Sequence, residues 1–138
     1  DQTRRQRQMC IRDRYLVIKK MTESLKLNTR IICVKTVRDR NGLPLSSRNS
    51  YLSGQEFKIA IKINKLLKKL PPLIRTKLKI NKILNHTKKV LIDHGVDKID
   101  YLTVLNDDLS VRKKISDKSR IFIAAKIGNT RLIDNIKI

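Results

Sequence analysis

The stretch IFIAAKIGNTRLIDNIKI, Ile121 to Ile138, decides the fold class. Two strand-like runs, Ile121 to Ile127 and Arg131 to Ile138, flank Gly128 and Asn129, a dipeptide suited to a two-residue hairpin turn because glycine reaches positive φ at no steric cost. Upstream, Tyr101 to Leu105 alternates like a half-buried strand. Three strands at this end predict an antiparallel sheet. Asp107 and Asp108, which follow the first strand, read as a turn, since paired catalytic carboxylates need a cleft that nothing nearby defines.

Ahead of the strands lie two helical patterns. Ser53, Gly54, Gln55 and Glu56 form an S-x-x-E capping box, in which each end satisfies an orphan amide of the other. The helix it opens carries a core stripe of Phe57, Ala60, Ile63, Leu67 and Leu70, with Lys58, Lys62, Lys65 and Lys69 outside it, and Pro71 and Pro72 are expected to end it. A second helix is expected from about Leu73 to Asp93, with Ile80, Ile83, Leu84, Thr87 and Leu91 on one face and Gly95 as its stop. A helical hairpin and a three-stranded antiparallel sheet make a small α+β domain over 38–138.

The residues before it read differently. Leu16, Val17, Met21, Leu25 and Leu27 recur with helical spacing over Tyr15 to Leu27, with Asn28 as a stop, and the β-branched run Ile31, Ile32, Val34 predicts a short strand. A helix followed at once by an apolar strand is the end of an α/β unit whose parallel sheet buries both faces. Its partner strands are not in the preceding sequence, so the chain is expected to begin inside a domain. The first fourteen residues, DQTRRQRQMCIRDR, lack periodicity and are Arg-rich where the rest is Lys-rich; they read as a non-native leader, an adapter or vector scar.

Composition narrows the function classes. The 138 residues suffice for one domain plus a fragment of a neighbour, and with 40 % hydrophobic residues but only 4 % aromatics the core must be aliphatic. Thirty-three Lys and Arg against twelve Asp and Glu give a net charge of +21, which would draw in polyanions, although a Lys, Ile and Asn bias also reads as a solvated basic surface. Cys10 and Cys33 sit in unrelated contexts and suggest no disulfide, which fits a reducing, cytoplasmic setting. No apolar stretch approaches the roughly 18 residues that span a bilayer. His86 and His94 are too isolated from Cys or carboxylates to suggest a metal site.

The segment TVRDRNGLPLSSRNSYLS, Thr36 to Ser53, places two hydroxyls and a guanidinium in one loop directly before a helix start, donors suited to phosphate oxygens. By residue type and spacing alone an ordinary polar loop is the better reading. The run from Thr36 to Leu52, however, resembles without gaps the pantothenate synthetase segment that reads roughly TVREADGLAMSSRNRYL. Ile123, Ala124, Ala125 and Gly128 to Asn135 resemble that family's closing VAARLGxTRLIDN, and Leu16 to Met21 resemble its LVIRRM-like helix. The matches run in order from Tyr15 to Ile138.

This resemblance implies a Rossmann-like nucleotide-binding domain followed by a C-terminal lid, of which 15–37 is the last helix and strand of the truncated first and 38–138 the second. It implies an ATP-dependent ligase: pantoate carboxylate attacks the α-phosphorus of ATP to give pantoyl adenylate and pyrophosphate, β-alanine displaces AMP, and Mg²⁺ accompanies the triphosphate. Pantoate, β-alanine and ATP are the implied small-molecule partners, with a homodimer for the full-length family and neither specific nucleic acid nor membrane. Leu45, Ser46, Ser47 and Arg48 would hold the ATP phosphates, and Val37 matches a position that meets the adenine end through its backbone. Arg48 carries most weight, because a forked and always charged donor stabilises charge building on departing pyrophosphate. Pro44 and Leu45 depart from the family's small residue and Met. Asp134 and Asn135 would serve the last strand's hydrogen bonding. The family's His-containing ATP motif, pantoate-binding glutamines and GxKD segment have no counterpart, and Arg14 stands where a pantoate-contacting Gln is expected, so no catalytic residue is assigned.

Two other classes stay open at this level, a basic nucleic-acid-binding module and an oligomerisation module. Nucleic-acid readers interleave basic residues with exposed aromatics or a docking helix, whereas Tyr15, Tyr51, Tyr101, Phe57 and Phe122 are scattered. Filter binding to unrelated polyanions should therefore be detectable at low salt and vanish as counterions compete. Sequence-selective binding that survives high salt would instead establish the nucleic-acid module.

Overall fold

The computed structural model describes residues 11–76, 79–106, 115–116 and 118–138, with the side chains of 11–13 left aside. Asp107 and Asp108 lie outside the described residues. The chain divides into two compact units, Asp1–Thr36 and Val37–Ile138.

In the first unit, helix α1 spans Ile11–Ser24, beginning inside the Arg-rich leader rather than at Tyr15. It ends before the Asn28 expected to stop it. Lys26 adopts φ 51, its amide donates to the Glu23 carbonyl at 3.1 Å, and the Leu27 amide reaches back to Thr22 at 3.0 Å. That pair of bonds is a Schellman cap, here built on a lysine at a backbone position that usually goes to glycine. Within α1 Thr22 is buried, its hydroxyl donating to the Ile18 carbonyl at 2.8 Å, whereas Val17, Ile18 and Met21 are exposed. The strand expected at Ile31 to Val34 does not form. The segment carries no strand assignment, and Ile32 and Val34 are 69 % and 79 % exposed. A strand is defined by pairing, so β-branched composition without a neighbouring strand does not make one.

The second unit carries the α+β fold. Strands β1 (Lys98–Asn106), β2 (Ser119–Ile127) and β3 (Thr130–Lys137) form an antiparallel sheet in the order β1-β2-β3. Ile127 pairs with Thr130 across the Gly128–Asn129 turn, and Gly128 has φ 56 while Asn129 is outside the left-handed region, the sign pattern of a type II′ hairpin. Ile121, Ile123, Ala125 and Ile127 of β2 join Leu102 and Val104 of β1 in the core. Phe122 and Ala124, on the opposite face of the same central strand, are also buried.

Helix α2 spans Gly54–Arg75 behind the expected capping box, whose Ser53 and Glu56 bond reciprocally at 3.2 and 2.9 Å. The helix runs through Pro71 and Pro72 rather than ending there, and the expected start of the next helix at Leu73 fails with it. Proline's φ is already helical; what it sacrifices is an amide donor and clearance against the turn before it. Leu70 and Ile74 extend the buried stripe across the prolines, at 4 % and 0 % exposure, and burying such a side chain stabilises by about 1.5–3 kcal/mol. Packing therefore overrides the local break. Helix α3 spans Ile80–Asp93, buries Leu84, Thr87 and Leu91, and closes with Gly95 at φ 106.

Pro72 is exposed, so its ring contributes little packing while it withholds an amide from the ladder. Pro72→Ala should raise the thermal midpoint, by about 1–3 kcal/mol of added stability measured in denaturant. An unchanged or lower midpoint would show that the missing amide at Pro72 costs the helix nothing.

Candidate phosphate-binding loop and its supports

The loop from Arg38 to Leu52 is built by short-range bonds before any distant contact. The Asp39 carboxylate accepts the amides of Asn41 (2.7 Å) and Leu43 (3.0 Å), and the Gly42 amide donates to the Asp39 carbonyl at 3.0 Å. Gly42 sits at φ 83, and a Cβ there would stand 2.6 Å from Asn64 Oδ1, so both backbone and space require glycine. An isolated bridge pairs Arg38 with Pro44, and the Leu45 amide donates to the Val37 carbonyl at 3.0 Å. A 3₁₀ helix, Ser47–Tyr51, follows, capped by Ser46, whose hydroxyl accepts the Arg48 amide at 3.2 Å.

All five residues singled out in the sequence fall in this unit. Leu45, Ser46, Ser47 and Arg48 form one continuous exposed stretch, and Val37 meets it through the carbonyl that takes the Leu45 amide. Among the described residues, the Arg48 guanidinium makes no hydrogen bond or ion pair. It lines an open cleft of about 580 Å³ with Tyr51, Glu56 and the β2–β3 turn from Gly128 to Arg131. Glu56 is already committed to its helix cap and lies against Gly128.

Two ion pairs frame the loop and cleft, and neither was legible as a pair. The Arg38 guanidinium forks onto Asp134, Nη1 to Oδ2 at 2.9 Å and Nη2 to Oδ1 at 2.8 Å, and also donates to the carbonyls of Gly42 and Asn135 at 3.0 and 3.2 Å. The hydrogen bond to Asp134, reinforced by its charge, raises the Arg38 pKa against the opposing effect of burial. Asp134 thus serves a side-chain clamp on the loop rather than the strand ladder alone. Across the cleft, Arg131 Nε donates to Asp100 Oδ2 at 2.7 Å, with Lys98 Nζ 3.6 Å from Oδ1. Both Arg38 and Asp134 lie in segments singled out above, but a separation of 96 residues leaves no local signal of their contact.

Among the described residues no group of three or more His, Cys, Asp or Glu could hold a metal ion. His94, which caps α3, has its Nδ1 2.7 Å from the Val90 carbonyl, and His86 is exposed on that helix. No described helix is long and apolar enough to cross a membrane.

Fold and loop together define an α+β domain that presents an exposed Ser-Ser-Arg turn beside a cleft. The sequence profile described as pantoate-beta-alanine ligase matches residues 12–137, beginning inside the Arg-rich leader. The pantothenate synthetase of Bradyrhizobium sp. (strain BTAi1) is 37 % identical over 124 residues, and that of Endomicrobium trichonymphae 41 % over 125, covering 88 % and 87 % of this chain but 44 % and 42 % of those proteins. The crystal structure of the Thermus thermophilus pantothenate synthetase superposes with a TM-score of 0.79 at 27 % identity, over 91 % of this chain and 46 % of that one. That of the Francisella tularensis pantoate-beta-alanine ligase, complexed with β-γ ATP and β-alanine, gives 0.66 at 30 % identity, over 91 % and 40 %. This chain belongs to the pantoate–β-alanine ligase family. It spans less than half the length of these relatives.

The Arg131 hydrogen bond is the largest influence on Asp100, and it lowers the carboxyl's pKa against a smaller effect of burial. A lowered folded pKa means that the pair's stabilisation is complete above the unfolded value of 3.8 and is lost as pH falls through the folded one. Acid unfolding of Arg131→Gln should therefore differ from the parent above about pH 4 and converge with it at lower pH. Curves that stayed parallel down to strong acid would show that the pair contributes nothing through charge.

Proposed function

We propose that this chain is the C-terminal portion of an ATP-dependent pantoate–β-alanine ligase, with 15–37 the end of its nucleotide-binding domain and 38–138 its lid. The observation that carries the reading is the Ser46–Arg48 turn: exposed, preset by a capped 3₁₀ helix, and offering a guanidinium that has no partner among the described residues. The Francisella relative's complex with β-γ ATP and β-alanine supports the substrate class.

In the whole enzyme, pantoate carboxylate attacks the ATP α-phosphorus and pyrophosphate leaves; the amine of β-alanine then attacks the acyl adenylate and displaces AMP. Both steps demand orientation and exclusion of water, which a closing lid provides. Arg48 places its fork on the β- and γ-phosphate oxygens, where charge grows as the leaving group departs, and so stabilises the transition state more than the ground state. Ser46 and Ser47 donate hydroxyl bonds to the same oxygens, Leu45 shapes the approach, and Val37 meets the adenine end through its backbone. Mg²⁺ belongs with the triphosphate, whose oxygens rather than this domain's side chains would supply most of its ligands. The setting is cytoplasmic and the full-length enzyme a homodimer.

The test joins Tyr15 to Ile138 onto the nucleotide-binding domain of the parent enzyme and follows single-turnover pyrophosphate release at saturating ATP. Arg48→Ala should slow release by roughly 10² to 10³, about 3 kcal/mol, with little effect on pantoate affinity. Arg48→Lys should recover part of the rate, because the charge survives but the fork does not. Ser46→Ala and Ser47→Ala should each cost less. The 138-residue chain alone should make no pantothenate. Release at the parent rate in Arg48→Ala would reduce the loop to a passive connector.

A further inference from the structure

From the bonding of the loop we infer that Asn49 is the positioning residue that holds Ser46, Ser47 and Arg48 ready for a phosphate-class anion. This rests on the reading of that turn as the phosphate grip. Asn49 is fastened at three points: its Nδ2 donates to the Pro44 carbonyl at 2.9 Å, its amide to the Ser46 carbonyl at 3.1 Å, and its own carbonyl accepts the Leu52 amide at 3.2 Å. Because a carbonyl can only accept, the contact with Pro44 fixes which end of the carboxamide faces it. Its Oδ1 points away from solvent and makes no hydrogen bond with a described residue.

The contrast with its neighbours is one of roles within a single turn. Ser46, Ser47 and Arg48 face outward, while Asn49 is half-buried and turns inward. The carboxamide ties the end of the Asp39–Leu43 turn, at Pro44, to the 3₁₀ helix that carries Arg48, closing a ring around Leu45 to Arg48. The backbone bond from the Asn49 amide to the Ser46 carbonyl closes only the shorter turn from Ser46 to Asn49. A grip assembled before the ligand arrives spends less binding free energy on ordering itself.

The 138-residue chain is titrated with inorganic tripolyphosphate at about 0.15 M salt, where the Debye length of about 8 Å limits pull from distant lysines. Amide NMR shifts at Ser46, Ser47 and Arg48 give the affinity, and hydrogen exchange gives the order of the loop. Asn49→Leu, which keeps the bulk but no donor, should bind about tenfold more weakly and exchange faster at Arg48 and at the substituted position, with α2 and sheet protection unchanged. Asn49→Gln, which retains a donor on a longer stem, should recover part of the affinity, which a packing role alone would not produce. Parent-like affinity and exchange in Asn49→Leu, while Arg48→Ala binds more weakly, would overturn the positioning role and leave the grip standing. If Arg48→Ala also binds as the parent does, the grip itself fails. Should Asn49→Leu unfold the domain, Asn49→Asp decides by exchange alone: a slow, parent-like loop with no donor toward Pro44 overturns the inference.

Discussion

One guanidinium bonds the loop to the last strand. Arg38 reaches two oxygens of Asp134 and two backbone carbonyls, one in the loop at Gly42 and one in the last strand at Asn135. A planar five-donor fork can serve all four acceptors at once; an ammonium on a flexible stem cannot. Asp134 is 8 % exposed at its side chain and Arg38 23 %, so the pair is desolvated enough for its geometry to matter, and loss of either partner would strand the other's charge. The bridge at Pro44, the Asp39 turn and the 3₁₀ helix that carries Arg48 all stand on the loop it secures.

Beneath the loop, the central strand does most of the packing. β2 is buried along nearly its whole length, and both helices lay their apolar stripes on the sheet beside it. That continuous aliphatic layer explains why two prolines fail to end α2, since stopping there would expose Ile74. Leu43 joins the same core, so the loop is anchored by burial as well as by charge. Under the proposed function, a firm base with outward-facing Ser46, Ser47 and Arg48 would let the loop meet a multiply charged ligand without first reorganising.

Asn64 shows the cost of bringing the loop so close. It lies on the buried stripe of α2 at 1 % exposure, and neither end of its carboxamide bonds a described residue. Gly42 passes directly against it, at a distance only a residue without Cβ allows. Turn chemistry accounts for a glycine there from its neighbours alone; the second requirement, space, comes from a helix residue well further along the chain.

Short-range chemistry was sufficient for the elements whose causes are local. The Ser53–Glu56 box, the Gly128–Asn129 hairpin, the Gly95 stop and the alternation of the first strand all follow from neighbours within a few residues, and so did the exposed Ser-Ser-Arg loop. Tertiary structure alone decided the rest. Whether Ile31 to Val34 is a strand depends on a partner, whether Pro71 ends a helix depends on what Ile74 can bury, and whether Arg38 meets Asp134 depends on a fold that spans 96 positions. Capping and turn preferences act through bonds within one turn of chain, whereas pairing, burial and long-range charge contacts exist only once the fold has brought distant residues together.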